Sequence, residues 1–244
     1  GSRFRNRPKL AYAEGHHWWF RSRNRILLWV LQNKCLEFCE LLEVGCGTGF
    51  VLEGIRRTFP NALLTGAEYY EEGLVFARSR IPTAQFVRLD ATQMVFRDSF
   101  DIVGAFDVLE HIEVDKKALS NFILALRSGG YLILSVPQHR WLWSLADTHA
   151  QHIRRYSRSE LVSKVRTAGF QVCYMTSFVS LLLPLMWLSR SFSSNNNYDP
   201  MDEFNIPEWL NSALEFIMSL EIVAIKIGFV FPAGGSLLLL ARKP

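Results

Sequence analysis

An apolar run that breaks into three alternate glycines, Leu41-Leu42-Glu43-Val44-Gly45-Cys46-Gly47-Thr48-Gly49, constrains this chain more than any other stretch. A short aliphatic run ending in glycine reads as a buried strand entering a tight turn. Glycines at 45, 47 and 49 let the backbone turn sharply and let a ligand approach with no Cβ in the way. The spacing is GxGxG. The dinucleotide fingerprint is GxGxxG, which aims a helix N-terminus at a pyrophosphate, so this turn argues against a nicotinamide site. A structural turn would use the same residues, and the turn alone assigns no function.

Beyond the turn, short apolar strands alternate with amphipathic helices. Residues 62–68, 85–90, 101–106, 131–136, 170–176 and 235–241 read as further strands. Helices are expected over 11–34, 51–58, 72–80 and 116–127, the last stopping at Ser128-Gly129-Gly130. Another opens at the capping box Ser157-x-x-Glu160 and stops at Gly169. The pattern predicts an α/β fold, a doubly wound and mostly parallel seven-stranded sheet, with a helical insertion before the last strand. In such sheets ligands bind beyond the carboxyl ends of the strands, where strand order reverses.

Acids stand at successive strand ends. Glu68 ends the second strand, 19 residues past Gly49, where a carboxylate can accept from both hydroxyls of a ribose. Asp90 ends the third, where it can accept from an adenine amino group while the Ala91 N–H meets a ring nitrogen. Glu43, two residues before the first glycine, can orient the turn or meet a ligand ammonium. One acid at a strand end is usually a solvated cap. Three in order behind a GxGxG turn point to a nucleoside site.

The series EVGCGTG, GAEYYEEGL, RLDATQM and FDIVGAFDVLEHIEVD resembles the motifs of class I S-adenosylmethionine-dependent methyltransferases over about residues 40–175 and the last strand. The resemblance is nearest to ubiquinone-biosynthesis O-methyltransferases and related small-molecule enzymes. It implies a Rossmann-like fold, S-adenosylmethionine as cofactor and S-adenosylhomocysteine as product. Carried onto matching positions, Gly45, Cys46 and Gly47 would hold the methionine part, Glu68 with Tyr69 the ribose, and Asp90 with Ala91 the adenine. Phe106 would line the methionine end. Arg25, 20 residues before Gly45, would supply a guanidinium to the cofactor carboxylate, and the HHWWFRSR stretch at 16–23 would close over it as part of a helical lid formed by residues 1–34. Ordinary packing of Trp18 and Trp19 is the alternative.

Methyl transfer from a sulfonium is an in-line displacement, and an oxygen acceptor must also lose a proton. The chain has six histidines. His111 follows the fourth strand and is the first candidate base. His149 and His152 lie in an aromatic, arginine-rich connection at 137–156 and are candidates for the acceptor side. Asp107, Glu110 and His111 also have hard-ligand types at i, i+3 and i+4, but helix capping is the favoured reading and no metal is expected. After the fourth strand there is no Asn/Asp-Pro-Pro-aromatic motif, which the resemblance ties to nucleic-acid base methylation. The expected acceptor is a small molecule, a metabolite, saccharide or lipid-linked intermediate methylated on oxygen, and not nucleic acid. A non-catalytic module that binds the same cofactor would show the same motifs.

Composition bounds the rest. With 244 residues, 49% hydrophobic and 20% charged, the chain suits one well-buried unit. Its net charge of +4 permits an anionic ligand or headgroup without marking a nucleic-acid binder. Cys35, Cys39, Cys46 and Cys173 form no CxxC pair and read as buried free thiols. With no signal peptide, and Gly1-Ser2 reading as a tag scar, a cytoplasmic setting is expected. Residues 35–176 and 233–244 would form the core. The insertion at 177–232 holds the run 178–188, a polar stretch at 191–199 and an apolar helix from Pro207. It reads as a cap or homodimer contact, or as an interfacial element making peripheral membrane contact. Glu208, Glu215 and Glu221 among its apolar residues weigh against anionic lipid.

Overall fold

The computed structural model describes residues 7–35, 37–192 and 205–244. One sheet is built from β1 (Glu40–Val44), β2 (Leu63–Glu68), β3 (Gln85–Arg88), β4 (Phe100–Phe106), β5 (Leu126–Pro137), β6 (Gln171–Phe178) and β7 (Ser236–Arg242). The spatial order is β3-β2-β1-β4-β5-β7-β6. Pairings from β3 across to β5 are parallel, and β7 runs antiparallel between β5 and β6. This is the Rossmann-like, mostly parallel seven-stranded α/β fold that the sequence predicts, with a helical insertion before β7.

Helices cover both faces: α1 (Arg7–His16), α2 (Trp18–Lys34), α3 (Phe50–Thr58), α4 (Glu71–Arg80), α5 (Asp115–Ala125), α6 (Leu145–His149), α7 (Arg158–Thr167), α8 (Leu183–Phe192) and α9 (Glu208–Lys226). Because successive strand residues point to opposite faces, the aliphatic runs feed two cores. Leu132 and Leu134 of β5 and Leu237 and Leu239 of β7 pack with Leu119 and Phe122 of α5 and Leu161 of α7. Ile133, Leu238 and Leu240 turn the other way, onto Leu27 and Val30 of α2, Leu52 of α3 and Ile222 of α9. Each such fully buried aliphatic side chain contributes about 2 kcal/mol. The N-terminal helix and the insertion helix therefore join α3 in one apolar layer over the sheet.

The structure redraws several boundaries. The helix expected over 11–34 is two helices broken at His17, whose extended backbone and Nδ1 cap the Trp19 N–H. The next free donor, the Trp18 N–H, reaches Asn211 Oδ1 of α9 at 2.8 Å, a partner that only the tertiary structure supplies. The helix expected to end at 127 ends at Ala125, because Leu126 already pairs with Phe100 of β4. Ser128-Gly129-Gly130 makes an irregular start to β5. A Cβ at Gly130 would sit 2.8 Å from the Asp101 carbonyl oxygen. The third strand stops at Arg88, so Asp90 caps the turn Ala91–Gln93. The apolar run 178–188 is the end of β6 and the first half of α8, with Pro184 in the first turn where it is tolerated. Cys46 is buried, but Cys39 and Cys173 are exposed, the latter on edge strand β6, so the expectation of four buried thiols fails there.

Candidate active site

Strand order reverses between β1 and β4, and the crevice opens beyond their carboxyl ends. Gly45–Gly49 leaves β1 on one side of it, and Asp107–His111 leaves β4 on the other. Gly45 has φ +72°, and a Cβ there would run into the Val108 side chain, so both the left-handed backbone and that neighbour favour glycine. Gly47, at φ +54°, has nothing within 4 Å of its Cβ position. Its glycine serves the left-handed backbone, and the space beside it is open.

The Glu68 carboxylate locks this turn from β2. Its two oxygens accept from the Gly47 and Tyr70 N–H groups, both at 3.0 Å. The Gly45 and Cys46 N–H groups both donate to the Ala67 carbonyl, so β2 holds the turn through backbone and side chain together. Each carboxylate oxygen keeps a second lone pair for a ligand hydroxyl. Tyr69 is exposed, its ring edge-on to Tyr70. Asp90 accepts from the Thr92 N–H and hydroxyl at 2.8 Å, and Ala91 is buried beside it. Phe106 is buried at the end of β4 among the residues of the α2–α3 layer.

Glu43 is buried in β1, and burial pushes its carboxyl up to about 8 against the opposing pull of Arg23. Among the described residues its Oε2 has no hydrogen-bond partner, and neither does Arg23 Nε. Arg23 lies under Trp19 and Phe20 and donates to Asp107 Oδ2 at 2.5 Å. Arg25 points elsewhere. It is exposed and reaches Ser219 and Glu215 of α9, so the arginine of α2 that faces the crevice is Arg23. The sequence carried a signal for this: Arg23 lies three, four and seven residues before buried Ile26, Leu27 and Val30, on the inner stripe. Trp18 and Trp19 are half-buried and pack against the same layer. Glu14 of α1 was not anticipated either. Buried, it accepts from the Thr48 hydroxyl and from Arg80, tying α1 to the glycine turn.

On the far side, the connection 137–156 folds back against the Leu109–His111 turn, with the Ile153 N–H on the Glu110 carbonyl at 2.8 Å. His152 Nδ1 lies 2.8 Å from Asp147 Oδ1, and its Nε2 lies 3.9 Å from Glu110 Oε1. The His111 and His152 rings stack edge to face, 4.8 Å between centroids. Glu110 is fully buried with both carboxylate oxygens unpartnered among the described residues. Burial, reinforced by Asp107, holds its carboxyl well above the usual carboxylate range. Burial would also raise Asp147. His152, Arg155 and the Ser144 N–H outweigh it and hold that carboxyl below the usual range. In the sequence Asp147 is indistinguishable from an ordinary helix cap, and it does cap α6. His149 is exposed at the end of α6. Of the hard-ligand types noted at Asp107, Glu110 and His111, for which no metal was expected, Asp107 pairs with Arg23. Ligand atoms of Glu110, His111 and His152 instead lie within 4.8 Å of one another.

A sheet of this order, with a glycine turn after β1 and acids after β2 and β3, defines the class I methyltransferase fold. The family model described as a methyltransferase domain matches residues 8–174, and the chain belongs to that family. It is 28% identical over 159 residues to a probable S-adenosylmethionine-dependent methyltransferase of Mycolicibacterium smegmatis, covering 64% of this chain and 60% of that protein. The matched span is thus about three-fifths of that relative's length. A malonyl-[acyl-carrier protein] O-methyltransferase of Bacillus cereus is 24% identical over 70% of this chain and 72% of its own. Among solved structures, a Haloferax volcanii methyltransferase in complex with the Trm112 methyltransferase activator superposes with a TM-score of 0.63 at 18% identity, over 95% of this chain and 92% of that one.

Proposed function

We propose that this chain binds S-adenosylmethionine and transfers its methyl group to an oxygen of a small-molecule acceptor. The observation that carries the first half is a buried acceptor and a buried donor without hydrogen-bond partners among the described residues, Glu43 Oε2 and Arg23 Nε, beside an open glycine turn. A buried polar atom without a partner is costly. An acceptor and a donor left open together suit the ammonium and carboxylate of an amino-acid end. In this reading Glu68 takes the ribose hydroxyls, and Asp90 with Ala91 takes the adenine.

Bound S-adenosylmethionine supplies a methyl group on a sulfonium, ready for displacement. The chain's part is to align the acceptor and take its proton. His152 is the proton acceptor in this proposal. Its Nδ1–H donates to Asp147, which fixes the tautomer and leaves Nε2 basic. His111 packs against its ring, and Glu110 Oε1 lies 3.9 Å from that Nε2. O-methylation is supported by the name of the B. cereus relative, and the acceptor falls in the class of metabolites, saccharides or lipid-linked intermediates. A second reading rests on the same cluster: Glu110, His111 and His152 have the spacing to share a divalent cation. Titration with Mg²⁺ and Mn²⁺ separates the two, since heat lost in His152→Ala would favour the cation.

The test is calorimetric titration of S-adenosylmethionine and NADH into the wild type, Glu68→Ala and Asp90→Ala. Binding of S-adenosylmethionine alone, weakened at least about tenfold in both folded variants, is the expected result. Preference for NADH, or no binding of either, overturns the proposal.

A further inference from the structure

We infer that Asn211, on the insertion helix α9, is a positioning residue for the glycine turn: it clamps the break between α1 and α2 and so holds Glu14 of α1 on Thr48. A helix break leaves carbonyls at the end of one helix and N–H groups at the start of the next without partners. Asn211 takes one of each. Its Oδ1 accepts from the Trp18 N–H at 2.8 Å, and its Nδ2 donates to the His16 carbonyl at 3.0 Å. A side-chain amide can do both, whereas an ionised carboxylate has no donor. The backbone at His17, φ −80° and ψ 133°, is extended inside a stretch that the sequence predicts as one helix over 11–34. Local preference would continue that helix, and a contact from the far end of the chain bridges the break instead.

About one turn before the break, α1 reaches the glycine turn through a carboxylate. Among the described side chains of α1, only Ala13 and Glu14 are buried. Glu14 Oε2 accepts from the Thr48 hydroxyl, and Arg80 of α4 donates to both, at 2.9 Å to Glu14 and 3.1 Å to Thr48. The turn needs such fasteners. Gly45, Gly47 and Gly49 have φ of +72°, +54° and +81°, and three glycines leave the backbone many other conformations unless neighbours hold it. Glu68 holds the Gly47 N–H from β2, and Glu14 holds the Thr48 side chain from α1. A change of ψ at His17 swings α1 as a unit, and Glu14 leaves Thr48 with it.

A turn already held in one conformation binds its ligand without the cost of ordering it. The insertion thus bears on cofactor affinity through α1. That consequence rests on the methyl-transfer reading, whereas the clamp on the turn does not.

Hydrogen exchange on the full chain without ligand tests the clamp in the wild type, Asn211→Ala and Asn211→Asp. Losing two hydrogen bonds is expected to speed exchange about tenfold at 7–16 and 45–49 in Asn211→Ala, and less in Asn211→Asp, which keeps the acceptor. Exchange in β4 and β5 should stay within about twofold of the wild type. Titration with S-adenosylmethionine gives the second readout. Asn211→Ala and Glu14→Gln should each weaken binding about three- to tenfold, and the double variant no more than the weaker single, because both act through one helix. Ser219→Ala, which loses the α9 contact to Arg25 beyond the break, should combine independently with Glu14→Gln. Unchanged exchange at 45–49 in Asn211→Ala overturns the inference, as does a rise that spreads equally to β4 and β5. So do independent effects of Asn211→Ala and Glu14→Gln on binding. A wild type that binds no S-adenosylmethionine overturns the proposed function and leaves the exchange result to decide this one.

Discussion

The Arg23 guanidinium donates to the Asp107 carboxylate across 2.5 Å, fastening the middle of α2 to the residue that follows β4. That contact places an arginine over the mouth of the crevice while leaving its Nε without a partner among the described residues.

Arg23→Ala should weaken S-adenosylmethionine binding about 10- to 100-fold, the range for losing a charge-assisted contact in a part-buried site. Arg25→Ala, on the α9 side, should change it by less than about threefold. Calorimetry on both variants decides which arginine serves the ligand. The reverse ranking would show that α2 engages the ligand through the face turned to α9.

Glu43 predicts a pH signature. Its folded carboxyl is raised to about 8, so the folded chain binds a proton there that the unfolded chain releases near its ordinary value of 4.5. The contribution to stability is present below 4.5 and is lost as pH rises through about 8. Glu43→Gln should flatten that slope, removing on the order of a few kcal/mol of pH dependence across the window. Melting curves from pH 4.5 to 8.5 read it. If the ligand ammonium meets Glu43, binding at pH 7 should also release close to one proton, seen by titration in buffers of different ionisation heat.

His152→Ala should lower kcat about 10²- to 10⁴-fold on a responsive acceptor while leaving cofactor affinity within about threefold. Asp147→Asn should lower kcat as well, through the orientation of the His152 ring. Added imidazole should restore part of the rate in His152→Ala but not in Asp147→Asn. Equal rescue of both, or none in either, would remove the proton-transfer role.

Gly45→Ala should cost about 1 to 3 kcal/mol, from a left-handed backbone and a clash with the Val108 side chain. Val108→Ala in the same chain should recover the steric part but not the backbone part. Denaturant titration of the single and double variants separates the two.

Much of the site was legible because its chemistry is local. The glycines at 45, 47 and 49 specify their turn through their own backbone, Glu68 reaches it from the end of neighbouring strand β2, and Asp90 caps the turn that follows β3. Arg25 shows the limit. Distance along the chain from Gly45 pointed to it, yet a helix turns about 200° in two residues, and that rotation put Arg23 inside and Arg25 against α9. His111 and His152 were each noticed, but nothing in the intervening 40 residues fixes that their rings stack or that Asp147 sits behind one of them.

The sequence by itself determined the strand and helix alternation, the glycine turn and the acids at its margin, because periodicity and backbone freedom act over a few residues. Only the tertiary structure decided which charges are spent. It turned Glu215 and Glu221 of α9 inward, paired Asp107 with Arg23, and left Glu43 Oε2, both Glu110 carboxylate oxygens and Arg23 Nε buried without a hydrogen-bond partner among the described residues. Burial and ion pairing depend on what the rest of the chain brings alongside, and no local pattern records it.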